Sequence, residues 1–153
     1  MPSMESVLNT KASEVKRPPP IPVGTYTLQV FGRPNFVDMS RQQRTDYVDF
    51  QTKITAIGDT VSEEDIAAFP GGRAAIVGME LKGRSGARFY LSEAALPQLT
   101  DWLREALDID LDNKTLKEAC FEAPGHMVIA EVQQEPTQDG KGMVSTIRSW
   151  ARA

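Results

Sequence analysis

The chain has 153 residues, 41% hydrophobic and 25% charged, with 17 basic against 21 acidic side chains. That is one domain's worth of chain, with a single core, and a net charge of −4 is not that of a strongly basic nucleic-acid binder. No run approaches the ~18 apolar residues of a membrane helix, so no membrane partner is expected, and the N-terminus lacks the apolar stretch of a secretory signal. A single cysteine, Cys120, excludes an internal disulfide framework. A single histidine, His126, beside it excludes a zinc site of the usual Cys/His kind. A cytoplasmic location and no cofactor are the expectation.

The modest total hides an asymmetry. Residues 92–122 carry 8 acids (Glu93, Asp101, Glu105, Asp108, Asp110, Asp112, Glu118, Glu122) against 3 bases. Residues 73–90 carry Arg73, Lys82, Arg84 and Arg88 against Glu80 alone, and residues 140–153 carry Lys141, Arg148 and Arg152 with no acid. Acids on helices and cations on strands can give one molecule two faces of opposite sign; a solvated surface is the plain alternative.

Residues 1–22 read as a flexible proline-rich arm, ending in Pro18, Pro19, Pro20 and Pro22, with residues 23–153 as the folded domain. GTYTLQVF (24–31) alternates with Tyr26, Leu28 and Val30 on one face, until Gly32 and Pro34 break it into a polar loop over 33–46. DYVDFQTKITAI (46–57) is the clearest strand: Val48, Phe50, Ile54 and Ala56 face inward, Tyr47, Asp49, Gln51, Lys53 and Thr55 outward. Ser62 with Asp65 suggests a short capped turn ended by Pro70-Gly71-Gly72. AAIVGMELK (74–82) reads as a third strand, folded back through the turn 82–86 into ARFYL (87–91) as a hairpin.

The period then changes. Leu96, Leu99, Leu103 and Leu107, with Trp102 and Ala106, recur at three- and four-residue steps, as on one helix face, with Ser92 able to cap the start and Pro97 tolerable only in the first turn. Thr115 and Glu118 form a capping-box pair for a second helix over 115–122, ended by Pro124-Gly125. HMVIAEVQQE (126–135) and MVSTIRSW (143–150) flank QDGKG as a final hairpin. The fold class is therefore mostly β with a helical insertion (α+β). A helix pair before the last two strands suggests the small five-stranded barrel, closed or partly open, that binds oligonucleotides and oligosaccharides.

Catalytic motifs fail on inspection. GMELKGRS (78–85) nearly spells a phosphate-binding loop, but Arg84 stands where lysine is needed and a strand follows where a helix is required. Asn113-Lys114-Thr115 matches a glycosylation sequon but is better explained by helix-start chemistry. Asp108, Asp110 and Asp112 alternate as in a calcium loop, without its glycine or distal glutamate. Cys120 reads as a buried, inert thiol, and His126 as structural or exposed. No enzyme activity is expected.

What remains is a set of cations interleaved with aromatic rings, the combination that holds single-stranded nucleic acid by phosphate contacts and base stacking. Arg33, Arg41, Arg44, Lys53, Arg84, Arg88, Lys141 and Arg148 are the candidate phosphate contacts; Tyr47, Tyr90, Trp150 and Phe36 are the candidate stacking rings. Arg88 and Tyr90 share one strand face, and Arg148 and Trp150 another. Trp102 falls on the apolar side of its helix and reads as core.

The runs PVGTYTLQV, DYVDFQTKI, LSEAALPQLTDWLREALDIDL, NKTLKEACFEAPGHMVIAEVQ and GKGMVSTIRSW, in this order over roughly residues 22–150, resemble a family of small phage proteins. These sit among replication and recombination functions and are regarded as single-stranded-DNA-binding proteins with an oligonucleotide-binding (OB) type barrel. The resemblance implies a non-enzymatic role on single-stranded DNA in an infected bacterial cell, with replication or recombination proteins as further partners; it assigns no functional residue. Self-association into a homo-oligomer is also expected, since many barrels of this size associate. One departure matters: many such proteins end in an acidic tail, whereas this chain ends TIRSWARA, which is basic. The competing expectation is a phage accessory or virion protein-interaction module that binds no nucleic acid.

Overall fold

The computed structural model describes residues 4, 8 and 19–153, with only the backbone described for Arg84. Most of the expected arm, including Lys11, Lys16 and Arg17, lies outside the described residues. Packing already begins at Ile21, two residues before the expected boundary. Ile21 is buried, its amide donates to Ser145 Oγ at 2.8 Å, and its carbonyl accepts from Gln134 Nε2 at 2.9 Å.

Alternation builds the first two strands as expected. β1 (Gly24–Val37) buries Tyr26, Leu28 and Val30, and β2 (Tyr47–Ile57) buries Val48, Phe50, Thr52 and Ile54, while Ala56 is exposed. The break at Gly32 is smaller than the sequence suggests. The register slips between Phe31 and Asn35, and pairing then resumes as Asn35↔Asp49, Phe36↔Val48 and Val37↔Tyr47. Residues 33–37 thus belong to a bulged strand rather than a loop, with Gly32 supplying the positive φ of 68°.

The segment 58–86 departs furthest. α1 (Glu63–Ala68) starts after Ser62, whose side chain makes no capping bond. The expected strand over 74–82 is instead α2 (Gly72–Ile76), a turn at Gly78 (φ 94°) and a two-residue β3 (Glu80–Leu81). Alanines 74 and 75 favour the helix, and the positive-φ glycines 71, 72 and 78 interrupt any extended run. The expected hairpin is also absent. β3 and β4 (Ala87–Tyr90) both pair antiparallel with β2, β3 through Thr52 and Lys53, β4 through Tyr47–Phe50. They lie one after the other along one edge of β2, joined through a 3₁₀ turn at Gly83–Ser85.

The leucine periodicity becomes α3 (Leu96–Asp101), which widens into a π-helical stretch at Trp102–Ala106. Leu99, Trp102, Leu103, Ala106 and Leu107 are buried, with Trp102 4.8 Å (ring centroids) from both Phe50 and Phe89. α4 (Leu116–Glu122) starts at Thr115, whose Oγ1 accepts from the Glu118 amide at 3.1 Å. β5 (Met127–Pro136) pairs with β1 and with β6 (Met143–Arg152).

The result is an α+β fold: within residues 19–153, four short α-helices lie beside an open, antiparallel six-stranded sheet ordered β3-β2-β1-β5-β6, with β4 on the same edge of β2 as β3. No strand ladder joins β4 to β6 among the described residues, so the ladders leave the sheet open. Among the described residues no helix is long and apolar enough to cross a membrane.

Candidate nucleic-acid interface

Residues opposite one another in a ladder share a face, and the register defines an outer surface on β1, β2 and β4. Its rows are Tyr90–Tyr47–Val37, Arg88–Asp49–Asn35, Gln51–Phe31 and Lys53–Gln29. The core rings Phe50 and Phe89, and the helix packed on them, lie on the opposite side.

Three of the expected residues form one constellation. Tyr47 and Tyr90 meet edge-on with centroids 6.1 Å apart, and the Arg88 guanidinium sits 3.9 Å from the Tyr47 ring centroid. Asp49 fixes that guanidinium by two hydrogen bonds, 2.7 Å to Nε and 2.9 Å to Nη2. This bonding pushes Arg88 above the ordinary arginine range, so it carries its charge at every working pH. One face of Tyr47 is therefore taken by arginine, whereas Tyr90, 41% exposed, offers its ring to solvent. Arg44, Met39 and Thr45 join these three around a pocket of about 580 Å³. Lys53 stands over the Phe31 ring at 5.6 Å, further along the same face.

The free cations lie at the hairpin end. Arg33, Arg41 and Arg44 are exposed and form no ion pair among the described residues. The loop that carries Arg41 and Arg44 is ordered by two acids: Asp46 Oδ1 accepts from the Met39 amide at 2.7 Å, and Asp38 Oδ1 from the Ser40 amide at 2.8 Å. Hydrogen bonding from Ser40 holds the Asp38 carboxyl below its ordinary range.

Other candidates stand apart from this face. Phe36 points to the opposite side of β1 and packs on Phe121 of α4, centroids 6.0 Å apart. Trp150 lies opposite buried Ala130 and packs edge-on against Trp102 at 5.5 Å, so it belongs to the inner face. The pairing of Arg148 and Trp150 on one face fails because the register slips between Glu131 and Val132: Ser149 pairs with Glu131 and Ile147 with Val132, leaving Arg148 extra, 3.8 Å from Glu131. Lys141 is exposed in the β5–β6 turn, distant in sequence from the Tyr47 cluster. The Arg84 side chain lies outside the described residues. Phe31, Gln51 and Asp49 complete the outer face; alternation from buried Val30 already put Phe31 outside, beside Lys53.

The acids of 92–122 are exposed on the helical side of the sheet. Arg152 does not join the free cations: its guanidinium donates to the Glu105 carbonyl at 3.1 Å and pairs with Asp108 at 3.2 Å. Cys120 is 1% exposed, and burial pushes its thiol up to about 11, which leaves it protonated and unreactive at neutral pH. Asp110 Oδ1 accepts from the Asp112 amide at 2.9 Å, and no three potential metal ligands gather among the described residues.

No protein-family model matches this chain, and no curated protein matches it.

Proposed function

We propose that the chain is a sequence-tolerant single-stranded-DNA-binding protein with an OB-like barrel, serving phage DNA replication or recombination, and that the outer face of β1, β2 and β4 is its interface. The observation that carries the reading is the Tyr47–Tyr90–Arg88 constellation beside the unpaired Arg33, Arg41 and Arg44. Rings supply stacking worth about 1–3 kcal/mol per base, and the exposed arginines supply phosphate contacts that depend on salt. The strand order supports the barrel reading. Four antiparallel ladders put β4 and β6 in the same direction at the two ends of the sheet, with a helix inserted between β4 and β5. An OB barrel has the same order, and there the two end strands run parallel. The cytoplasm of an infected bacterium and a homo-oligomeric state belong to the same proposal.

The test is a titration with oligothymidine at several salt concentrations, read by fluorescence. Binding is expected to quench emission and to weaken steeply with salt. Tyr90→Ala is expected to reduce affinity by roughly 5- to 150-fold, the equivalent of losing one stacked base. Absence of quenching at low salt ends the proposal. Loss of self-association in Tyr47→Ala and Tyr90→Ala variants, with DNA affinity intact, would make the face a protein-interaction surface instead.

A further inference from the structure

A groove of about 610 Å³ runs between the unpaired edges of β4 and β6 and is walled by the helix Leu96–Ala106. Three features converge there. The free edges of both strands present backbone donors and acceptors with no ladder partner among the described residues. Trp102 lines the groove at 3% exposure, and its indole Nε1 is buried without a hydrogen-bond partner, as is Thr146 Oγ1 on the β6 side. The helix wall contributes Asp101 and Glu105, exposed, four residues apart on one face, and without a cationic partner among the described residues.

The cations that line the same groove are already engaged. Arg88 is held by Asp49, Arg152 by Asp108, and Arg148 lies 3.8 Å from Glu131. The uncompensated charge is therefore acidic, which repels a phosphate backbone and attracts a basic group. The shape is selective too. The Gly83–Ser85 turn packs against β6 at one end, and Arg152 ties β6 to the helix carbonyls at the other. A recessed edge of this kind admits a lone extended segment more readily than the flat edge of a second folded copy. Because β4 and β6 run in the same direction, one inserted strand can lie antiparallel to both.

We propose that this groove is a docking site for an extended, basic peptide segment of a partner protein, bound by strand addition with a lysine or arginine set against Asp101 and Glu105. The groove adjoins the outer face that carries the proposed DNA interface and shares Arg88 with it, and it gives the acidic helix a role other than repelling the polyanion.

The test titrates the full chain with an acetylated, amidated hexapeptide of alternating lysine and valine. It follows tryptophan emission, since Trp102 and Trp150 both line the groove, and amide hydrogen exchange. Saturable binding is expected, with slowed exchange in both Ala87–Tyr90 and Met143–Arg152. A peptide of the same composition with its three lysines in one block, and the Asp101→Lys/Glu105→Lys variant, should each bind at least about tenfold more weakly. Both substitutions are on the surface, and thermal unfolding checks that the variant is folded. Equal binding by the blocked peptide reduces the interaction to net charge and overturns the proposal. Unchanged exchange at the two edges, or unchanged affinity in the charge-reversed variant, does the same. Displacement of the peptide by oligothymidine would assign the groove to nucleic acid. Competition by self-association of the chain would assign it to a second copy.

Discussion

Arg88 is the side chain on which the proposed interface turns, and its charge is already committed. Both partners of the Arg88–Asp49 pair are about four-fifths buried, at 20% and 18% side-chain exposure, and the contact is bidentate. Hydrogen bonds to charged groups in such settings contribute about 1.5–3 kcal/mol, so Asp49 holds the guanidinium over the Tyr47 ring at the expense of its attraction for phosphate. Asp49→Asn separates these effects. It should lower stability by about 1–3 kcal/mol. It should also strengthen oligothymidine binding and steepen the log–log salt dependence by up to about one unit, as one more cation becomes free to meet phosphate. Urea denaturation and a salt series of gel shifts measure the two. An unchanged salt slope removes Arg88 from the phosphate contacts.

At the scale of elements, α4 shows what local chemistry decides. Its cap is written in Thr115 and Glu118, three residues apart, and the Thr115 hydroxyl accepts the Glu118 amide. Thr115→Ala should cost about 1 kcal/mol, read as a lower urea midpoint with faster amide exchange confined to Leu116–Glu122. A loss near zero would mean that burial of Ala119 and Cys120 alone holds the helix. This cap, the alternation of β1 and β2 and the leucine stripe of α3 were legible because each signal lies within a few residues. Other features were not, for equally physical reasons. The string AAIVGMELK has the composition of a strand, but the positive-φ glycines around it set its path. Which face Trp150 takes depends on a one-residue slip opposite Glu131, and a slip of one reverses every side chain beyond it. That β3 and β4 both pair with β2 is a choice among distant partners, which no local pattern encodes. The same limit applies to the site. Tyr47, Arg88 and Tyr90 were readable as outward-facing, but their stacking depends on the β2–β4 register, and the role of Asp49 on a hydrogen bond spanning 39 positions.

The molecule as a whole stores part of its stability in two groups that are buried in their protonated forms. Tyr26 is 1% exposed and donates its hydroxyl to the Pro22 carbonyl at 2.6 Å, fastening the start of the domain to β1. Burial, assisted by the nearby charge of Asp65, pushes its phenol from 10.0 up to about 12, and burial alone pushes Cys120 from 9.0 up to about 11. In both cases the folded chain holds its proton to higher pH than the unfolded chain does. Between the two values of each group the native state binds more protons, so stability falls as pH rises. The contribution is fully present below about 9 and is lost progressively between about 9 and 12. Urea midpoints measured from pH 7 upward should therefore stay level with respect to these groups to about 9 and then decline. In Cys120→Ala the decline should begin nearer 10, the ordinary tyrosine value, and in Tyr26→Phe it should flatten above about 11. Tyr26→Phe should also lose about 1 kcal/mol at neutral pH, because the Pro22 carbonyl is left without its donor. A wild-type midpoint that stays level to pH 12 would mean that neither group is sealed from water. The contact that carries the chain from Pro22 into β1 would then contribute less to the fold than its geometry implies.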